Sequence, residues 1–296
     1  MNPVFRGRVL ALALGASLAP VLAQAHGVAG ARFFPATLAV DDPAVADELS
    51  APTLSRMGGE TDISAEFSKR LTSSLGVSFG ETWTRLKEPG APAAGGFQNL
   101  ETSIKWQALT SAEHEAILAF GLQAEWSGTG AAGVGAERHS TFSPAIFFGK
   151  GAGDLPQSMG WARPLALTGQ LGYAVPSRDH DPGEPEANPR IIEWGLTLQY
   201  SLPYLQSQVR DLGLPQPLAG MTPLVEARLE SPTTGPDRTT TGTINPGVIW
   251  AGPHFQVGVE AMIPLNGESG RHVGAVMQFH MFLDDIFPHS FGKPIW

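Results

Sequence analysis

Cysteine is missing from all 296 residues. That excludes disulfide-stapled scaffolds, thiolate metal centres and cysteine nucleophiles. Charge is scarce as well. Asp, Glu, Lys and Arg make up 16% of the chain, against about 25% in an ordinary soluble domain. The charge present leans acidic, with 28 Asp+Glu against 19 Lys+Arg and a net charge of -9. This balance speaks against general nucleic-acid binding. Few charges beside 35 glycines also speak against a wholly disordered chain. After the first 25 residues no run stays apolar for about 18 residues, which excludes a helical membrane protein. There is no G-x-S-x-G, no H-E-x-x-H and no glycine-rich phosphate loop ending in Gly-Lys-Ser/Thr.

The N-terminus has the layout of an export signal. Arg6 and Arg8 precede an apolar stretch over residues 9–22, and Ala23-Gln24-Ala25 follows. Small residues around a short apolar region are what signal peptidase reads. Residues 1–25 are therefore expected to be a signal peptide and residues 26–59 an N-terminal periplasmic segment. A transmembrane β-barrel is expected over residues 60–287, with a C-terminal tail over 288–296.

What the mature chain has in abundance is period-two alternation. Leu118, Phe120, Leu122, Ala124 and Trp126 fall on one face, against Ala119, Gly121, Gln123 and Glu125. Ile192, Trp194, Leu196, Leu198 and Tyr200 oppose Glu193, Gly195, Thr197 and Gln199. Leu75, Val77 and Phe79 repeat the pattern, as do Ile104, Trp106 and Ala108, and Val273 through Leu283 near the end. Successive side chains of a strand point to opposite faces, so each segment is a two-faced strand. Residues 63–71, 139–148, 164–173, 223–230, 244–250 and 255–263 add to the set. Such lengths suit tilted membrane-crossing strands, whereas soluble sandwiches use strands of about 5 to 6 residues. The expected fold is an all-β, antiparallel transmembrane β-barrel in the outer membrane of a Gram-negative cell. A secreted sandwich would alternate too, with its apolar face turned inward. Eleven strands are visible and bacterial single-chain barrels have even numbers. Twelve strands are expected, with ten as the alternative. The unseen strand is sought near residues 31–40 or 201–209.

Connections rich in Gly, Pro and acidic residues lie at 87–96, 128–137, 178–189 and 231–243. Shorter turns are expected at 110–113, 252–253 and 265–270. Residues 204–218 read as a short amphipathic or plug-like excursion.

The segments Trp194-Gly195-Leu196-Thr197-Leu198-Gln199-Tyr200 and Phe282-Leu283-Asp284-Asp285-Ile286-Phe287-Pro288, within this layout, resemble the transporter-like outer-membrane barrels of the phenol-degradation meta-pathway. The resemblance implies passage of small apolar or aromatic compounds. It also implies contact with outer-membrane lipid and with the barrel-assembly machinery. Trp296 is terminal, as aromatic residues are in many such barrels, but Pro288, Gly292 and Pro294 interrupt the run before it.

The chemistry-bearing residues are few. Asp179, His180 and Asp181, with Glu184 and Glu186 nearby, are oxygen and imidazole donors suited to a divalent cation, or a solvated acidic loop. His272 and His280 share parity, and an eight-residue separation of about 26 Å prevents one ion from bridging them. His26, as a new N-terminus, would offer nitrogen ligands to copper(II). Asp41, Asp42, Asp47 and Glu48 read as a solvating acidic group. The polar face carries Glu66, Ser68 and Arg70, then Glu101, Lys105 and Gln107, then Glu226, Arg228 and Glu230. Glu125, Glu193, Gln199, Glu260 and Gln278 complete it. Charges cost about 2–4 kcal/mol at the lipid midplane, so these should point into a lumen. No catalytic residue, cofactor or metal ligand is expected, and no nucleic-acid partner. The expected function is passive passage of a small solute, with a non-conducting structural or docking barrel as the alternative. A barrel hydrolase would need Ser, His and Asp to converge, and no motif announces it.

Overall fold

A two-faced strand needs a partner along both edges and a different medium on each face. A computed structural model describes residues 27–87, 90–235 and 237–296. Twelve strands in it form one closed antiparallel ring in chain order. They are β1 (Glu48–Met57), β2 (Glu60–Arg70), β3 (Leu75–Leu86), β4 (Leu100–Ser111), β5 (Ala116–Trp126) and β6 (Thr141–Gly151), followed by β7 (Leu165–Pro176), β8 (Ile191–Tyr200), β9 (Met221–Pro232), β10 (Thr241–Ala251), β11 (Phe255–Pro264) and β12 (Gly274–Phe282). β12 pairs back onto β1, from Ala275 opposite Arg56 to Phe282 opposite Glu48. Closure leaves no free edge, the condition for a sheet to span lipid. A short strand, Ala94–Phe97, extends the upper half of β3. The expected signal segment and His26 lie outside the described residues.

The strand hidden from the alternation is β1, Glu48–Met57. Neither proposed location holds it. Its pairing shifts register between Ser50 and Thr53 on the β2 side. An inserted residue breaks the period of two, and Pro52 sits inside the run. The barrel thus begins at residue 48 rather than 60. Residues 31–40 form only the end of a two-residue pairing, Val28–Ala29 with Arg32–Phe33, before continuing irregularly. Residues 201–209 curl into a helical turn, Leu202–Tyr204, and a π-helical turn, Leu205–Val209, with Ser201 accepting from the Tyr204 N–H.

The faces settle what surrounds the ring. Thr168, Thr197, Glu226 and Asn245 stand opposite one another across four successive strands and are buried. One residue along, Leu167, Leu198 and Val225 form the adjacent row and are exposed. The apolar side faces outward and the polar side inward, the reverse of a soluble sandwich. Trp126 and Phe142 meet edge to face at one rim, and Trp250 and Phe255 meet at a tilt at the other. Leu171, 53% exposed near the middle of β7, is on the lipid face. Leu171→Arg is expected to destabilise the folded barrel by about 2–4 kcal/mol. Urea titration of refolding into lipid vesicles checks this. A change below about 0.5 kcal/mol would contradict the assigned lipid face.

One end of the ring carries the longer loops, those that follow β3, β5, β7, β9 and β11. The other holds turns at 71–74, 112–115 and 252–254. By the usual arrangement the first end is extracellular and the second periplasmic. The connection around 265–270 therefore joins the long loops rather than the short turns. Two periplasmic connections, 152–164 and 201–220, are long and form part of a floor. β12 ends at Phe282, a short helix Leu283–Ile286 follows, and the tail returns to the 69–71 turn.

Candidate functional site

The lumen is occupied by the chain itself. Residues 27–47 enter at the periplasmic end, rise to mid-barrel near residues 38–42, and descend into β1. The acidic group expected to solvate a periplasmic segment is instead folded inside, and Asp47 has no exposed surface.

The lower anchor is Arg32, also fully buried. Its guanidinium donates to Glu115 at 3.1 Å and to the carbonyl oxygens of Pro164 (3.0 Å) and Arg163 (2.5 Å). It lies 3.7 Å above the Tyr204 ring. Glu115 also accepts from the Tyr204 hydroxyl at 2.6 Å and from the Gly153 N–H at 3.0 Å. Burial, then the contact with Glu115, pushes the Tyr204 phenol up, so it remains a donor at neutral pH. The 152–164 and 201–220 connections are long because they supply this floor.

At mid-height the Glu226 carboxylate accepts from three successive N–H groups, Leu38 (2.8 Å), Ala39 (3.2 Å) and Val40 (2.7 Å). These donors are irregular backbone and have no sheet partner, so an inward carboxylate meets their need. Gln170 accepts from the Asp41 N–H, and Gln256 donates to the Ala36 carbonyl. Two inward glycines make room. A Cβ on Gly195 would lie 2.8 Å from Val40, and one on Gly258 would collide with Leu38. On the descent, Lys105 donates to Asp41 and to the Asp42 carbonyl, both at 2.8 Å. Gln107 accepts from the Val45 N–H. Asp47 then pairs with Lys69 and Arg70 at 2.5 and 2.7 Å.

Above the segment lies a cavity of about 250 Å³. Glu101, Glu125 and Glu193 stand high on its wall, Glu48 and Glu66 lower, and Asp41 and Asp42 rise from the segment. Arg228 is the one Arg or Lys lining it among the described residues. A narrower cleft of about 40 Å³ continues downward past Glu66, Ser68, Ser78 and Ser103. The inward set expected from the sequence thus divides. Glu66, Ser68, Glu101, Glu125, Glu193, Arg228 and Gln278 line open space. Lys105 and Gln107 hold the segment, and Arg70 serves the floor. Glu226 and Glu260 are buried beneath the segment rather than lining the cavity.

His280 sits low on this wall. Its Nδ1 is 2.8 Å from the Ser50 hydroxyl and its Nε2 is 3.1 Å from the Glu48 carboxylate. The Phe282 ring lies 5.3 Å away and in turn meets Phe33 edge to face. Ser50 carried no signal in the sequence. It reaches His280 across 230 residues only because β1 closes the ring. His272, placed with His280 by parity, precedes β12 and is exposed.

At the extracellular rim, Asp181 leaves the acidic loop cluster and meets His139 at 3.1 Å, with Glu137 at 3.7 Å from the same ring nitrogen. The three ligand atoms lie within 4.8 Å of one another. Burial would raise the Asp181 carboxyl, but His139 holds it below the usual range. The pair ties the 127–140 and 177–190 loops together, and His180 takes no part in it.

Comparison with solved structures places this architecture in a class. The NanC porin superposes with a TM-score of 0.51 at 7% identity, covering 79% of this chain and 98% of that one. The KdgM porin gives 0.48 at 11% identity with the same coverage. Outer membrane phospholipase A from Escherichia coli gives 0.41 at 8%, covering 88% of this chain and 96% of that one. At these identities the likeness concerns the fold alone. The protein is a twelve-stranded outer-membrane β-barrel. No family model matches the chain, and neither does any curated protein. The resemblance to the phenol-degradation barrels thus has no support beyond the general architecture.

Proposed function

We propose that this barrel is a gated passage for a small polar or cationic solute across the outer membrane, with residues 27–47 as its gate. The observation that carries the proposal is the acidic cavity standing directly above an inner segment that fills the lower lumen. Carboxylates on a narrow wall attract cations and repel anions. An apolar solute, as the resemblance implied, would find little matching surface here, because the lumen wall is mainly Glu, Ser, Thr and Gln. Export by a cleaved signal over residues 1–25 and insertion by the assembly machinery belong to the same proposal. The alternative, a non-conducting docking barrel, draws on the anchors that hold the segment shut.

Planar-bilayer recording across a KCl gradient tests the proposal. Wild type is expected to pass small currents that reverse on the cation-selective side. Converting Glu101, Glu125 and Glu193 together to Gln should move the reversal potential toward zero. Anion selectivity, or a triple variant indistinguishable from wild type, would contradict an acidic pathway. A folded, heat-modifiable barrel silent in both wild type and a segment-released variant would favour the docking alternative.

A further inference from the structure

The inner wall holds one arrangement that passage does not require. Ser50, His280 and Glu48 form a continuous hydroxyl–imidazole–carboxylate relay, with links of 2.8 and 3.1 Å. We propose that this relay is a serine acyl-transfer site that hydrolyses a small ester admitted to the lumen. The relay is ordered as the chemistry requires: nucleophile, base, then a carboxylate orienting the base. Either imidazole nitrogen can act as base. An Nε2–H donating to Glu48 leaves the Nδ1 lone pair facing the Ser50 hydroxyl.

Three further observations bear on it. First, all three residues line the 250 Å³ cavity, so the nucleophile borders open space rather than a packed core. Second, both strands that carry the relay are irregular there. β12 shifts register between Gln278 and His280 against β1, and β1 shifts between Ser50 and Thr53 against β2. Bulges re-aim side chains and recur beside active sites. Third, His280 is fixed. It is 1% exposed, packs against Phe282, and stands directly opposite Ser50 in the β12–β1 register. A base held in one orientation loses little entropy at the transition state. The next inward residue of β12, Gln278, adds a side-chain amide to the same wall.

In the first step the Ser50 oxygen bonds to the ester carbonyl carbon while its proton moves to His280 Nδ1. The C–O bond to the alcohol then breaks, and the alcohol leaves with that proton. Water attacks the acyl-serine and gives its proton to His280. The Ser50–acyl bond breaks, the acid departs, and Ser50 regains its proton. One ester and one water give one acid and one alcohol. Asp41, Asp42 and Glu66 nearby select a neutral or cationic ester and disfavour an anionic one.

The test uses the full-length folded barrel in detergent, its fold verified by heat-modifiable migration. Diisopropyl fluorophosphate is the titrant and p-nitrophenyl acetate the substrate. The expected result is one adduct per chain, mapped to Ser50 by peptide mass, and none in Ser50→Ala. Hydrolysis should fall about 100-fold or more in Ser50→Ala and His280→Gln. Glu48 is a positioning residue, so Glu48→Gln should lower the rate and also displace its pH profile. Because the inner segment can restrict entry, the same titration is run on Glu226→Ala. Labelling of Ser50 in that variant alone supports the site and shows that the segment controls access. No Ser50 adduct in either protein, an adduct elsewhere only, or, in whichever protein is labelled, hydrolysis no faster than with Ser50→Ala in the same background, overturns the proposal.

Discussion

Glu226→Ala is expected to release the inner segment and raise the conductance of the barrel several-fold. The carboxylate accepts three backbone N–H groups that have no sheet partner. Hydrogen bonds to a charged group contribute about 1.5–3 kcal/mol each, and orphaned buried donors cost about 1–3 kcal/mol. These terms overlap, so a loss of about 3–5 kcal/mol in segment docking is expected. The lower anchor remains, and the mid-barrel portion should therefore leave first. Single-channel recording checks the conductance. Limited thermolysin digestion provides a second readout, because Val40 is buried in the wild type and the bonds around Leu38 and Val40 would become cleavable as the mid-barrel portion loosens. Glu226→Gln keeps one acceptor oxygen and should fall between the two. If conductance and cleavage in Glu226→Ala match wild type, the segment is not held by this carboxylate and the gate is misassigned.

Arg32→Ala should be more damaging to stability than any surface substitution. It removes a guanidinium that neutralises Glu115, satisfies two floor carbonyls and covers the Tyr204 ring. What remains is a buried carboxylate without its cation. Breaking such a pair from one side costs about 3–5 kcal/mol. The temperature at which the folded gel band converts to the unfolded one should fall clearly. In the double variant Arg32→Ala with Glu115→Gln the loss should be smaller than in Arg32→Ala alone, because the uncompensated charge is gone. A double variant no better than the single would mean that packing against Tyr204, rather than charge, dominates the anchor.

The barrel was legible because its signal is local. Leu196 and Leu198 against Thr197 and Gln199 announce two media on two faces, and eleven such runs suffice to expect a twelfth. β1 escaped because a bulge and Pro52 interrupt the only cue a single strand offers. The inner segment escaped for a different reason. Asp41, Asp42 and Asp47 read as solvated because acidic residues usually are, and the cations that meet Asp41 and Asp47, Lys105 and Arg70, lie on strands further along the chain. Glycines on the polar face looked like lumen lining, whereas Gly195 and Gly258 are sockets for Val40 and Leu38. Complementarity between a hole and a knob far apart in sequence leaves no periodic trace. The Ser50–His280–Glu48 relay shares that property, since two of its members come from the first strand and one from the last.

The inner segment also imposes an order of events on folding. Its contacts with Glu226 span 186 to 188 residues of chain, and those of Gln256 span 220. Such long-range contacts carry a loop-closure cost that nearby hairpins do not, so they form after the local pairings. The segment's mid-barrel seat does not exist until β9 has joined the growing sheet. The wall opposite is incomplete until β12 meets β1. A nascent barrel therefore passes through a stage in which its hairpins are paired while its interior is still unstoppered. Closure of the cylinder, which joins Ser50 to His280 across 230 residues, and closure of its bore are both late, long-range steps built on the same row of hairpins.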